Sequence, residues 1–164
     1  MRRTRLMAVA GAAAALTAAA ALRPVTVLEI ENTGRQRTFR IALDGGEAFA
    51  VTSHHSMYDA PVTEEFVIDR GGRLVLTAVS SRSAAVREYF GITATGERHE
   101  AHREMQEVVF RVAAGEPQRL HAGGAERSFL EFGEHGDRLV MRAGRGRAIA
   151  LAIAARGSGT APLQ

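Results

Sequence analysis

Short runs of alternating apolar and polar residues, separated by turns that contain glycine, fill the chain from Pro24 onward. A period of two residues is typical of β-strands with one buried face, whereas an amphipathic helix shows a longer period. The short connections predict antiparallel pairing, because parallel strands need crossovers of about a dozen residues or more. The sequence therefore predicts an all-β fold: one mostly antiparallel β-sandwich or barrel-like domain over residues 24–156, with a flexible tail over residues 157–164.

The clearest hairpin joins residues 65–68 to residues 73–79 through a turn that contains Gly71 and Gly72. Glycine readily adopts the positive φ angles that tight hairpin turns require. The same pattern predicts further strands at residues 25–31, 38–43, 47–52, 108–113, 128–132, 138–142 and 148–154.

Two segments depart from the strand pattern. Residues 80–85 are small and polar and are expected to form a loop, and the polar residues 97–107 are expected to form one or two helical turns. On a helix, His99 and His102 would share one face, because they are three residues apart. Their charged neighbours indicate a solvated face rather than a metal site.

The N-terminus has the pattern of an export signal. Arg2, Arg3 and Arg5 precede residues 6–22, in which Thr17 is the one polar side chain. A basic start followed by an apolar run is typical of a secretory signal peptide. As a helix the run would span roughly 25 Å, slightly less than a ~30 Å hydrocarbon core. Two alternatives to a cleaved signal peptide therefore remain: inner-membrane attachment through residues 6–22, and a helix buried in the protein core. Export would place the domain in the periplasm or at the outer face of the cytoplasmic membrane.

Charge and composition exclude several classes of function. The chain has 21 basic residues, all of them arginine, against 18 acidic residues. Without the three N-terminal arginines the two counts are equal at 18, and the basic residues are scattered, so no nucleic-acid partner is expected. The absence of cysteine rules out disulfides, cysteine-bound zinc and a thiol nucleophile.

A dense polar segment over residues 54–66 holds the candidate ligand- or partner-binding residues His55, Ser56, Pro61 and Glu64. The other interpretation of this segment is a packed β corner. In that corner Pro61 would end one strand, and Glu64 would accept a hydrogen bond from His55.

The same segment offers no catalytic pair. In an extended chain adjacent side chains point to opposite faces, so His55 and Ser56 do not bond to each other. His54 and Ser56 share a face but lie roughly 6.5–7 Å apart, beyond hydrogen-bond reach. We therefore predict no catalytic residue and no cofactor. His54, His55 and Glu64 remain candidate metal ligands, because zinc binds such nitrogen and oxygen donors.

The order of residues in this region resembles a bacterial family. The pattern His55-Ser56, Pro61-Val62 and Glu64, followed by residues 71–76 (Gly-Gly-Arg-Leu-Val-Leu), is similar to that of the domain of unknown function 1850 family. The resemblance implies an exported β domain encoded beside tripartite ATP-independent periplasmic (TRAP) transporters that have a TAXI-type solute-binding subunit. It thus implies a non-catalytic accessory of a TRAP-type uptake system, with transporter subunits as partners. The alternative is a small periplasmic metal- or solute-binding module.

Overall fold

A computed structural model of the protein describes residues 24–43, 48–55 and 57–147. Ser56, the predicted N-terminal signal or anchor, the strand predicted at residues 148–154 and the predicted tail lie outside the described residues. Residues Thr26–Gly144 form one compact unit, which holds all the sites considered below. No helix in the described ranges is long and apolar enough to span a membrane.

The described residues form two β-sheets and one short α-helix, so the predicted all-β class and the mostly antiparallel pairing are confirmed. A four-stranded sheet has the order β2-β1-β10-β7 and consists of β1 (Pro24–Asn32), β2 (Arg37–Ala42), β7 (Glu107–Arg111) and β10 (Arg138–Arg147). A six-stranded sheet has the order β6-β5-β4-β3-β8-β9 and consists of β3 (Ala48–His55), β4 (Ala60–Ile68), β5 (Leu74–Ser80), β6 (Arg98–Met105), β8 (Arg119–Ala122) and β9 (Ala125–Ser128). The helix, α1, spans Ala84–Tyr89.

One apolar core lies between the sheets, as in a β-sandwich. Leu28 and Met141 of the smaller sheet belong to the same buried cluster as Phe49 and Phe66 of the larger sheet. The rings of Phe49 and Phe66 stack with their centroids 4.9 Å apart. Full burial of each such side chain contributes about 1.5–3 kcal/mol. Below, the inner face of a strand is the face directed toward this core.

The hairpin predicted around Gly71 and Gly72 is confirmed as the β4–β5 connection. The backbone N–H of Asp69 donates to the Arg73 carbonyl oxygen at 2.9 Å, and the Gly72 N–H donates to the Asp69 carbonyl oxygen at 3.0 Å. Gly72 has a φ of 78°, which a side chain would disfavour. The local turn chemistry was therefore readable from the sequence.

Two local predictions are wrong, and a third, the loop at residues 80–85, holds for residues 81–83 only. Residues 97–107 form no helix, because β6 is an edge strand that satisfies its backbone by pairing with β5, and an edge strand tolerates polar side chains on both faces. The loop predicted at residues 80–85 runs into α1, whose first turn is capped by the Ser83 hydroxyl accepting from the Val86 N–H. The strand predicted at residues 128–132 is a 3-10 helix, Phe129–Glu131, with a capping box between Ser128 and Glu131.

We expect Gly123→Ala to destabilise the protein far more than Gly124→Ala. Both glycines form the β8–β9 turn with positive φ angles, 59° and 73°. A Cβ on Gly123 would clash with the Ala42 carbonyl oxygen, whereas a Cβ on Gly124 meets nothing within 4 Å. Thermal unfolding of the two variants measures the difference, since both share the backbone strain of about 1 kcal/mol. Equal melting temperatures would contradict the clash.

Candidate functional site

The polar segment singled out in the sequence forms a hairpin between β3 and β4. His55 is the last residue of β3 and lies opposite Ala60, and His54 lies opposite Pro61. The turn is closed by a hydrogen bond from the Tyr58 N–H to the His55 carbonyl oxygen at 3.1 Å. Asp59 follows with a left-handed φ of 47°, a conformation that aspartate tolerates better than most residues. The side chains of His54 and His55 therefore leave opposite faces of the sheet.

The rings of Tyr58 and Tyr89 flank His55. We call these three residues, together with Met57 from the same turn as Tyr58, the aromatic patch. The His55 ring lies 4.9 Å from the Tyr58 ring and 4.8 Å from the Tyr89 ring, centroid to centroid. Tyr58 and Tyr89 are the chain's two tyrosines. Met57 is 72% exposed, Tyr89 61% and Tyr58 37%, so the patch presents apolar surface to solvent.

The segment that carries Tyr89 is fastened to the start of β4. The Ser81 hydroxyl donates to the Pro61 carbonyl oxygen at 2.8 Å. The Arg87 guanidinium of α1 donates to the carbonyl oxygens of Ser81 and Arg82 at 3.2 and 3.1 Å. These bonds hold α1 beside the β3–β4 hairpin, so Tyr89 meets His55 across 34 residues of sequence.

The Nδ1 atom of His55 is buried and has no hydrogen-bond partner among the described residues. A buried polar atom without a partner is unfavourable by about 1–3 kcal/mol. Because this nitrogen is closed to solvent, the patch offers a partner the exposed surface of Met57, Tyr58 and Tyr89. Exposed tyrosine side chains suit an apolar or planar group, and their hydroxyls can bond to a polar atom of that group.

Glu64 does not belong to the aromatic patch. It lies on the inner face of β4, opposite Val51 of β3 and Val79 of β5. Its half-buried carboxyl has no hydrogen bond or ion pair to any described residue, and burial raises its pKa to about 7. The predicted hydrogen bond from His55 is wrong, because the register separates the two by four residues along the strand, roughly 13 Å.

Pro61 also departs from its predicted role. It does not end a strand but is the second residue of β4, and its ring is exposed. Proline is tolerated there because the first residues of a strand need fewer ladder hydrogen bonds. Ser56 lies outside the described residues. Of the four predicted binding residues, the structure places only His55 in the aromatic patch.

The candidate metal ligands are separated as well. His54 is on the face opposite His55, where its Nδ1 lies 3.6 Å from an Asp59 carboxylate oxygen. Within the described residues, no group of three histidine or acidic side chains is arranged to hold a metal ion. His99 and His102 share no helix: His99 is buried, with its Nε2 2.9 Å from the Gly96 carbonyl oxygen, and His102 is exposed.

Three members of the patch, Met57, Tyr58 and Tyr89, are absent from the sequence-based candidates. Tyr58 lies within the polar segment, and the chain has only two tyrosines, so the scarcity of this residue type could have marked it as a candidate. Tyr89 carries no local signal, because its proximity to His55 depends on α1, which the sequence pattern did not predict. Comparison with known proteins finds no matching family model, no similar curated protein and no similar solved structure.

Proposed function

We propose that the protein is a non-catalytic, exported binding domain that serves as an accessory of a TRAP-type uptake system with a TAXI solute-binding subunit. The observation that carries the binding role is the aromatic patch, which exposes Met57, Tyr58 and Tyr89, the two tyrosine rings lying beside the His55 ring. Export is supported by the basic and apolar pattern of residues 1–22, and the transporter context by the resemblance described above.

Exposed tyrosine and methionine side chains favour a contact with another protein. Both are enriched at the centres of protein interfaces, where a few aromatic anchors supply most of the binding energy. A scattered exposed apolar residue needs no such explanation, but here the exposed rings of Tyr58 and Tyr89 lie 6.4 Å apart, centroid to centroid, and Met57 precedes Tyr58 in the chain. The partner we propose is a subunit of the transporter.

The surroundings of His55 favour binding over catalysis. Its ring neighbours are two tyrosines, and within the described residues no carboxylate bonds to its ring to orient it as a general base. Glu64 lies on the core-facing side of β4, four residues from the position opposite His55, and does not bond to the His55 ring.

Capture of transporter subunits tests the proposal. The tagged full chain is produced in its native host, cross-linked and purified from detergent-solubilised membranes, and co-purified transporter subunits are identified and quantified by mass spectrometry. We expect Tyr89→Ala to reduce their recovery at least about tenfold, as for a central interface residue. The matched control is Leu130→Ala, which removes another exposed apolar side chain (53% exposed) away from the patch.

The control should retain wild-type recovery, and both variants should melt within a few degrees of the wild type. Undiminished recovery with Tyr89→Ala would remove the patch from the interface. Absence of transporter subunits from the wild-type sample would contradict the accessory role itself.

A further inference from the structure

A cavity lies between the edge of the larger sheet and the residues that follow α1. Its volume is about 540 Å³, and its apolar lining includes Leu76 and Val79 from β5 and Phe90 and Ile92 from beyond the helix. Binding sites for small molecules range over about 300–1,000 Å³ and are lined mainly by apolar side chains.

Arg103 brings a positive charge to this cavity. It lies directly opposite Leu76 in the β5–β6 register, so the two side chains leave the same face of the sheet. Its guanidinium has no hydrogen bond or ion pair to any described residue. Neighbouring arginines on the sheet are paired: Arg98 donates to both carboxylate oxygens of Glu65, and Arg73 contacts Asp69 and Glu104.

The remaining polar groups of the lining do not neutralise Arg103. Glu100 pairs in register with Ala78 and makes no ion pair with Arg103. His102 is directed to Glu104, with its Nε2 3.6 Å from the carboxylate. Tyr89 completes the wall and connects the cavity to the aromatic patch.

We infer that this cavity binds a small organic carboxylate with an apolar body, which Arg103 anchors through its guanidinium. The planar guanidinium matches a carboxylate with two parallel N–H···O bonds, which are stronger than bonds between neutral groups. Leu76, Val79, Phe90 and Ile92 then cover the apolar body, and the cavity volume limits the ligand to a small molecule. This inference goes beyond the proposed transporter contact and does not depend on it.

Calorimetric titration of the full chain with 3-phenylpropionate tests whether the ligand must carry a negative charge. 3-Phenylpropanamide and 3-phenylpropylamine are the neutral and cationic comparators of the same shape. We expect the carboxylate to bind at least about tenfold more tightly than either comparator, and Arg103→Gln to abolish that preference. Arg70→Gln is the matched control, because Arg70 is an exposed arginine of the β4–β5 turn, away from the cavity.

A second variant tests the cavity independently of charge. Ala101 of β6 also lines the cavity, so Ala101→Leu fills part of its volume while adding only apolar atoms. It should weaken carboxylate binding at least about tenfold with little change in melting temperature.

Three results would overturn the inference. The first is no binding of the carboxylate at 10 mM probe, roughly the weak limit of useful affinities. The second is equal or tighter binding of the amine, and the third is unchanged binding by Arg103→Gln. None of these titrations contains a transporter subunit, so their failure and the failure of the proposed function are separate outcomes.

Discussion

Asn32→Ala is expected to lower the free energy of unfolding by about 3 kcal/mol, because it removes three hydrogen bonds of a buried amide and leaves the Phe132 carbonyl oxygen without this donor. Asn32 is fully buried at the end of β1. Its amide Nδ2 donates to the Phe132 carbonyl oxygen at 3.1 Å and to the Asp137 carboxylate at 2.8 Å. Its Oδ1 accepts from the backbone N–H of Arg35 at 3.1 Å. One side chain thereby joins the end of β1 to the segment that precedes β10.

Asp137 depends on the same contact. Hydrogen bonds from the Asn32 amide, then from the Glu134 N–H and the Arg35 guanidinium, lower the pKa of Asp137 to about 2. A carboxyl whose folded-state pKa is lowered stabilises the fold above its ordinary pKa of 3.8, and that stabilisation is lost as the pH falls toward 2. Asn32→Ala should therefore also raise the pKa of Asp137.

Urea denaturation at neutral pH measures the loss of stability. Thr33→Ala is the matched control, because its hydroxyl makes only a long 3.5 Å contact with the Arg138 carbonyl oxygen. Gly133→Ala should resemble Asn32→Ala, since a Cβ there would lie 2.6 Å from the Asn32 Nδ2. If Asn32→Ala unfolds at the same urea concentration as Thr33→Ala, the network does not carry the stability assigned to it.

The free energy of unfolding of the wild type is expected to fall as the pH rises from about 4.5 to about 7. The Glu64→Gln variant should not show this loss. Burial raises the pKa of Glu64 from 4.5 to about 7, so the folded state holds a proton there that the unfolded chain has released. The free energy of unfolding therefore decreases through that range. At roughly 1.4 kcal/mol per pKa unit, the loss is about 2–3 kcal/mol between pH 5 and pH 8.

The neighbouring residue provides the control. Arg98 donates to both carboxylate oxygens of Glu65, and this hydrogen bonding lowers the pKa of Glu65. The dependence of stability on the titration of Glu65 therefore has the opposite sign to that of Glu64. The stabilisation by Glu65 is present above its ordinary pKa of 4.5 and is lost on acidification. Glu65→Gln should therefore leave the loss between pH 5 and pH 8 intact. Urea titrations of the wild type and both variants at these pH values give the comparison, and equal slopes for Glu64→Gln and wild type would show Glu64 to be solvated.

Predictions that rested on local chemistry were the successful ones. The β4–β5 turn depends on Gly72 and on bonds within five residues, so its residues alone indicated a hairpin. The all-β class follows from the period-two pattern, which reports which face of each strand is buried. The same pattern did not identify β6 as a strand, because this edge strand has few apolar residues and so shows little alternation.

The aromatic patch and the environment of Glu64 needed the three-dimensional arrangement. Residue order indicated His55 and Glu64 as special, but the register of β3 against β4 separates them and directs Glu64 to the core. Likewise, the position of α1 brings Tyr89 to His55. Local periodicity specifies which face of a strand is buried, whereas strand register and helix docking arise from packing between residues far apart in the chain.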